Sequence, residues 1–308
     1  MFKNESFEPT FDIEDFEDAS FYPLLTRLPK ELAKRHLKKI LLEEFSDSET
    51  IEYLESILNE RREAMTVTEF SDPEIERLFE GQKETLLAQL DTTVFNSSDN
   101  ELGFGTTAKV KSFTVTHDNE SIVVAVKYLV EPKVDTVSAA IEHDILKEVE
   151  RIKHVEELES SQNFQYLSVP HPYFHHKNSQ LQCYGMQVVN GPNLFQVDEM
   201  FAQEPPPIEL LTALAAVDED TLSEEIDVFF KNMHSYCLHK DIKRRNIMFD
   251  LSGKFYVIDF GQSILVTDIS EDNRQQFDVL KEGEVEKAKK ITLTAVSKAK
   301  NLLANTQS

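Results

Sequence analysis

Glycine and proline are scarce, 8 and 11 in 308 residues, which excludes a collagen-like or low-complexity chain. Basic side chains are outnumbered by acidic ones, 32 to 56, and the formal charge of −24 is carried by residues 1–100 and 101–308 alike. A protein that grips a phosphate backbone needs a basic footprint, so no nucleic acid is expected among the partners. There are only two cysteines, Cys183 and Cys237. That is too few for a disulfide framework, and two buried free thiols in a reducing compartment are expected. The longest strongly apolar run, Ile122–Val126, is far short of a membrane span. The first twenty residues lack a basic stretch followed by an apolar one, so a cytoplasmic protein with no membrane span is expected. No repeat of 20–50 residues is visible. What is present, 40% hydrophobic residues over this length, suffices for one large domain or two modest ones.

The apolar pattern changes period along the chain. Residues 1–19 alternate acids with Phe, and the acidic stretch Asp12–Asp18 is expected to be a solvated arm. From Phe21 to about Leu90 the period is helical. Leu28, Leu32, Leu37, Ile40 and Leu41 mark a first helix, with Lys34, Arg35, Lys38 and Lys39 on a solvated face. Ile51, Leu54, Ile57 and Leu58 mark a second, and a third opens at Pro73 and carries Ile75, Leu78, Phe79, Leu86 and Leu87. The period then falls to two. Residues 109–130 read as a hairpin turning at His117–Glu120, followed by a helix over about 138–158 and short strands near Pro170–Phe174 and Leu181–Val189. Thr221 with Glu224 forms a capping-box pattern before a helix whose Phe229 and Phe230 belong to a core. A strand pair at 247–250 and 254–260 comes next, then a basic amphipathic helix from about Glu284 with Val285, Ala288, Ile291, Ala295 and Leu302 on one side.

Four segments carry chemistry. Gly103-Phe104-Gly105 with Ala108 and Val110 leads into a strand, where glycines let backbone N–H groups approach phosphates. Alone, this pattern is as consistent with an ordinary turn. Val124-Ala125-Val126-Lys127 places a lysine on an apolar strand, which is costly unless a carboxylate pairs with it. Glu142 on the following helix is the favoured partner; Glu148, six positions on, falls on a different face. His239-Lys240-Asp241-Ile242-Lys243-Arg244-Arg245-Asn246 then sets an Asp and an Asn five apart ahead of a strand. Finally, Ile258-Asp259-Phe260-Gly261 closes an apolar strand with another carboxylate. An Asn and an Asp with no soft ligand suit Mg²⁺, which takes oxygen ligands and substrate phosphates.

In this order the segments resemble the protein-kinase-like superfamily, over about residues 95–266: a Gly-rich loop, a strand lysine, a helix glutamate, an HRD-type loop and a DFG triplet. The resemblance implies an α+β, two-lobed kinase-like fold. Residues 95–186 would form the first lobe, residues 187–308 a shortened second lobe, and residues 1–94 an added acidic arm and helical region. It further implies ATP and Mg²⁺ as cofactors. Gly103, Phe104, Gly105, Ala108, Val110, Ala125, Met186, Gln187 and Val188 would line the nucleotide, with Met186 as gatekeeper. Lys127, held by Glu142, would contact the phosphates. Asp241 would accept the acceptor hydroxyl's proton, Lys243 would stabilise the transferring group, and Asn246 with Asp259 would hold the metal. Lys243 two residues after Asp241 follows the serine/threonine-type pattern, and a protein substrate or regulatory partner is expected.

The chain departs from the family at Ala108, where a third glycine is usual, and at Lys240, where an arginine is usual. A lysine cannot make the bidentate contact by which that arginine meets a phosphorylated activation loop. With few residues after Gly261 and no A-P-E among them, the chain resembles RIO-type and minimal bacterial effector kinases. Control without activation-loop phosphorylation is therefore expected. Two alternatives remain: a small-molecule phosphotransferase, and a nucleotide-binding interaction module without activity. His171, His175 and His176 cluster around a strand, but no Cys or carboxylate stands beside them at metal-ligand spacing, so no metal site is expected there.

Overall fold

In a computed structural model, which describes residues 67–71, 73–80, 101–104, 108–117, 120–129, 138–160, 164–177 and 182–306, the chain is α+β. It divides into two compact units, residues 1–68 with 177–181 and residues 69–176 with 182–308. The helices expected before residue 60, the acidic arm and Leu86–Leu87 lie outside the described residues.

The strands of the larger sheet are β1 (Val67–Phe70), β2 (Glu101–Phe104), β3 (Ala108–His117), β4 (Glu120–Leu129), β6 (Pro172–Lys177) and β7 (Gln182–Gln187), in the order β1-β6-β7-β4-β3-β2. The expected hairpin is β3–β4, antiparallel and in register from Ala108↔Leu129 to His117↔Glu120. Its second strand lies between β3 and β7, which pair both of its edges, and consecutive residues of it are buried, so both of its faces are covered too. That is why Val124, Ala125, Val126, Lys127 and Tyr128 are all buried and why the run reads as continuously apolar. The expected third helix is present in part as α1 (Pro73–Glu80). It buries Phe79 against Phe70 and Phe174, with ring centroids 5.5 and 5.4 Å away. Strand β1 was not anticipated from sequence; its end is fixed where Ser71 N–H donates to Tyr173 O at 2.8 Å.

Helix α2 (Ala139–Ser160) packs on β4 and β7. The rest of the molecule comprises α3 (Leu194–Phe201), α4 (Ile208–Ala215), α5 (Glu219–Met233) and the long α6 (Arg274–Thr306). Two small sheets accompany them. In one, β10 (Phe255–Val257) lies between β5 (Leu167–Ser168) and β9 (Ile247–Phe249); the other pairs β8 (Cys237–Leu238) with β11 (Ile264–Leu265). Helix α6 packs across α3, α4 and α5, burying Ala288, Ala295 and Ala299 against a core that includes Phe229, Phe230 and Leu211.

Two sequence expectations need correction. Helix α5 does not start on a Thr221–Glu224 box. Asp218 is the cap, accepting from Thr221 N–H at 2.8 Å, and Glu224 is exposed. Its neighbour Glu225 turns inward instead and accepts the backbone N–H groups of Gln165, Tyr166 and Leu167 at 2.7, 2.8 and 2.9 Å. Helix α6 begins at Arg274, ten residues before Glu284, because Phe277 adds an early buried turn. Both cysteines are free and buried, as expected.

Candidate active site around Lys127, Asp241 and Asp259

A buried strand lysine has to be neutralised where it stands. Lys127 Nζ donates to Glu142 Oε1 at 2.6 Å and to Asp259 Oδ1 at 2.5 Å, with the lysine and Glu142 side chains 8% and 0% exposed. Burial pulls the lysine pKa down, yet the two carboxylates outweigh it and hold the pKa above its ordinary value. Asp259 shows the mirror image: burial alone would raise it, and Lys127, with smaller help from Lys243, brings it below the usual carboxylate range. Glu148 is elsewhere, bound to Arg151 at 2.6 Å on the exposed side of α2. Sequence reasoning missed Tyr184. It lies across from Lys127 in the β4–β7 register and donates its hydroxyl to Glu142 Oε1 at 2.9 Å. The strand pairing is the signal that would have found it. A Cβ added to Gly261 would stand 3.4 Å from Glu142 Oε2 and from Asp259 Oδ1, at ordinary van der Waals distance, so this residue lies directly against the ion pair.

The loop after β8 is tied by its own side chains. Asn246 Nδ2 donates to Asp241 O at 3.0 Å and to Asp241 Oδ2 at 2.9 Å. Both partners accept only, which identifies that atom as the amide nitrogen and turns the amide oxygen away from Asp241. Lys243 Nζ meets the same Oδ2 at 2.5 Å. Asp241 N–H donates to His239 Nδ1 at 3.3 Å, so the other ring nitrogen carries the proton and donates to Ile258 O at 3.0 Å. Burial keeps this imidazole neutral by lowering its pKa. Ile258 N–H returns a bond to Asn246 O at 3.0 Å, and the β9–β10 pairing continues the lacing. Lys240 and Asp259, at opposite ends of this network, have φ of 65° and 68°. Left-handed backbone at a non-glycine costs on the order of 1–3 kcal/mol and persists only where neighbours enforce it.

For Lys240 the enforcing neighbour is Glu284, buried in α6. Its carboxylate accepts Lys240 N–H, His239 N–H at 3.2 Å and His234 Nε2–H at 3.0 Å. Sequence reading placed Glu284 at the start of a basic amphipathic helix. A single acid beside an apolar stripe carries no mark of burial.

Of the residues expected to line a nucleotide, Ala125 and Met186 face each other across β4 and β7. Both belong to the core, with Val110 and Val188 packed against it. Gln187 is committed differently. Its backbone N–H donates to His171 O at 2.8 Å, and its side-chain oxygen accepts from His171 N–H at 3.2 Å. Gly103 and Phe104 lie on β2, with Gly103 opposite Val110, and Ala108 is the buried first residue of β3. Gly105 lies outside the described residues.

The arrangement supplies oxygen donors of the type Mg²⁺ takes: the Asp259 carboxylate, 42% exposed, and the amide oxygen of Asn246. It also supplies an accepting carboxylate at Asp241, with Lys127 bound to the Asp259 carboxylate and Lys243 to that of Asp241. A cavity of about 430 Å³ lies elsewhere, beside α2, lined by Asp144, Lys147, Arg151, His171 and Tyr236. Its charged, open lining does not suit a purine, and the chemistry assembled around Lys127 is the stronger guide. No helix among the described residues is long and apolar enough to cross a membrane. No family model and no curated protein matches the chain.

Proposed function

We propose that the protein is an ATP- and Mg²⁺-dependent phosphotransferase of the two-lobed protein-kinase-like kind, with a shortened second lobe, acting on the hydroxyl of serine or threonine. The observation that carries the reading is the three-way contact of Lys127 with Glu142 and Asp259. Sequence segments far apart converge on one buried cation, and the third partner is the carboxylate that the resemblance assigns to the metal. In this reading Asn246 and Asp259 hold Mg²⁺, which neutralises phosphate charge when bound. Lys127 is freed from Asp259 to meet the phosphates and stays oriented by Glu142, itself held by Tyr184. Asp241 accepts the proton of the acceptor hydroxyl. Asn246 Nδ2 and Lys243 Nζ fix its Oδ2, which aims the carboxylate. Lys243 stabilises charge on the transferring group. Phosphoryl transfer asks mainly for such positioning and charge complementarity.

A second reading, transfer to a small anionic alcohol, is favoured by the exposed cations Lys240, Lys243 and Arg245 beside Asp241 in an otherwise acidic chain. Transfer of labelled phosphate from ATP, to the protein itself, to generic protein substrates and to a panel of sugars and sugar phosphates, separates the two. Label on serine or threonine that disappears in Asp241→Asn and Lys127→Met supports the first reading, and label on a small alcohol supports the second. ATP binding without transfer to any acceptor leaves a nucleotide-binding interaction module; absence of ATP binding overturns all three.

A further inference from the structure

Glu142 is followed on α2 by two residues that the site does not use. His143 and Asp144 meet His175 of β6, and one ligating atom from each lies within 4.8 Å of the other two. His143 Nδ1 is 3.5 Å from Asp144 Oδ1, and the two imidazole rings are 5.3 Å apart, centre to centre. His143 and His175 are 2% and 6% exposed. Even so, His143 Nδ1, His143 Nε2 and His175 Nδ1 have no hydrogen-bond partner among the described residues. Buried ring nitrogens are nearly always satisfied, so two adjacent imidazoles left this way point to a missing partner.

We propose that His143, Asp144 and His175 form a binding site for a divalent transition ion of the zinc class, which fastens α2 to β6. Two neutral imidazoles and a carboxylate are a donor set suited to borderline ions, unlike the oxygen-only pair Asn246 and Asp259. An ion with bonds of about 2.0–2.1 Å in tetrahedral geometry spaces its ligand atoms about 3.4 Å apart. The His143–Asp144 pair already stands at that spacing, and His175 has to close by little more than an ångström. Asp144 is the open side of the site. Its side chain is 61% exposed and lines the 430 Å³ cavity beside α2, so the carboxylate is open to solvent. Sequence reading dismissed metal at His171, His175 and His176 for want of a carboxylate. The missing ligands come from a helix some thirty positions earlier in the chain.

The test uses the full chain, freed of metal with a chelator, and does not involve phosphoryl transfer, so its failure is independent of the function proposed above. Zn²⁺ is titrated in competition with a chromophoric chelator, and Co²⁺ is added separately to read its visible absorption. One Zn²⁺ per chain at micromolar or tighter affinity is expected, with a Co²⁺ spectrum of four-coordinate intensity and no competition from millimolar Mg²⁺. His175→Ala and His143→Ala should abolish both signals, and Asp144→Asn, an exposed substitution that leaves the fold intact, should weaken Zn²⁺ at least tenfold. Zn²⁺ should also raise the melting temperature of the wild type and not of His175→Ala. No stoichiometric Zn²⁺ uptake by the wild type, or an unchanged affinity in Asp144→Asn, overturns the proposal.

Discussion

Lys127 shows how little of a residue's role depends on its own identity. Between two carboxylates it is a stable buried cation; with Glu142 neutralised it keeps Asp259 alone and loses the partner that orients it. Glu142→Gln should therefore lower turnover by about 100-fold or more and the stability by about 3 kcal/mol, whereas Glu148→Gln, which breaks only an exposed pair with Arg151, should stay within about 0.5 kcal/mol of wild type. Initial rates and urea melts of the two variants check this, and equal effects would contradict the pairing. Cys237 offers a test that needs no activity. Burial, aided by Glu284, pushes its thiol up to about 12 from 9.0. A group raised in the folded state contributes stability that is complete below its unfolded pKa and lost above it. The stability advantage of wild type over Cys237→Ala should thus narrow as pH rises from 9 towards 12. The three-unit shift also cuts the thiolate population about a thousandfold. At pH 8 neither Cys237 nor the buried Cys183 should react with a thiol reagent until denaturant is added.

Elements joined by short segments depend on residues whose importance lies in their neighbours. A Cβ on Gly191 would fall 1.9 Å from Phe249 O, a backbone atom that cannot step aside because Phe249 N–H is bound to Pro192 O at 2.9 Å. Gly191→Ala should cost about 2–4 kcal/mol, read as a lower urea midpoint at unchanged slope. Glu225→Ala should cost at least about 3 kcal/mol, because it leaves three backbone N–H groups of 165–167 without an acceptor. Hairpin β3–β4, α2 and the β9–β10 pair were legible in the sequence because alternation and helical period report burial directly. Asp218 as cap and Glu225 as anchor were not. Both Glu224 and Glu225 look like solvated helix acids, and which one turns inward is decided by a loop sixty positions earlier. The segment after Gly261 follows the same logic. Ile264 and Leu265 pair with Leu238 and Cys237, so main-chain bonds seat it without a phosphate. Phosphatase-treated protein should keep its full rate of transfer; a loss of more than tenfold would show that a phosphate is required.

At the scale of the whole molecule, the site is assembled from parts that the sequence keeps far apart. The side chains that meet there were legible, since Lys127, Glu142, Asp241, Lys243, Asn246 and Asp259 stand in recognisable segments. Its supports were not: Tyr184 and Glu284 become visible only once strands and helices are paired, as does the separate His143–Asp144–His175 group. Glu284→Gln should separate support from chemistry. It keeps the volume but places an amide among three donors, so turnover should fall at least tenfold while nucleotide affinity changes by less than threefold. A fall in affinity equal to the fall in turnover would place Glu284 among nucleotide contacts instead.

The same carboxylate bears on how the protein is made. A ribosome releases His239 and Lys240 well before Glu284, so for that interval the nascent chain holds Lys127, Asp241, Asn246 and Asp259 but has nothing to hold the Lys240 backbone in its left-handed turn. A chain interrupted between Gly261 and Glu284 would contain all of these side chains and still lack a formed loop. In the function proposed above, transfer would therefore wait for the helix that packs across α3, α4 and α5.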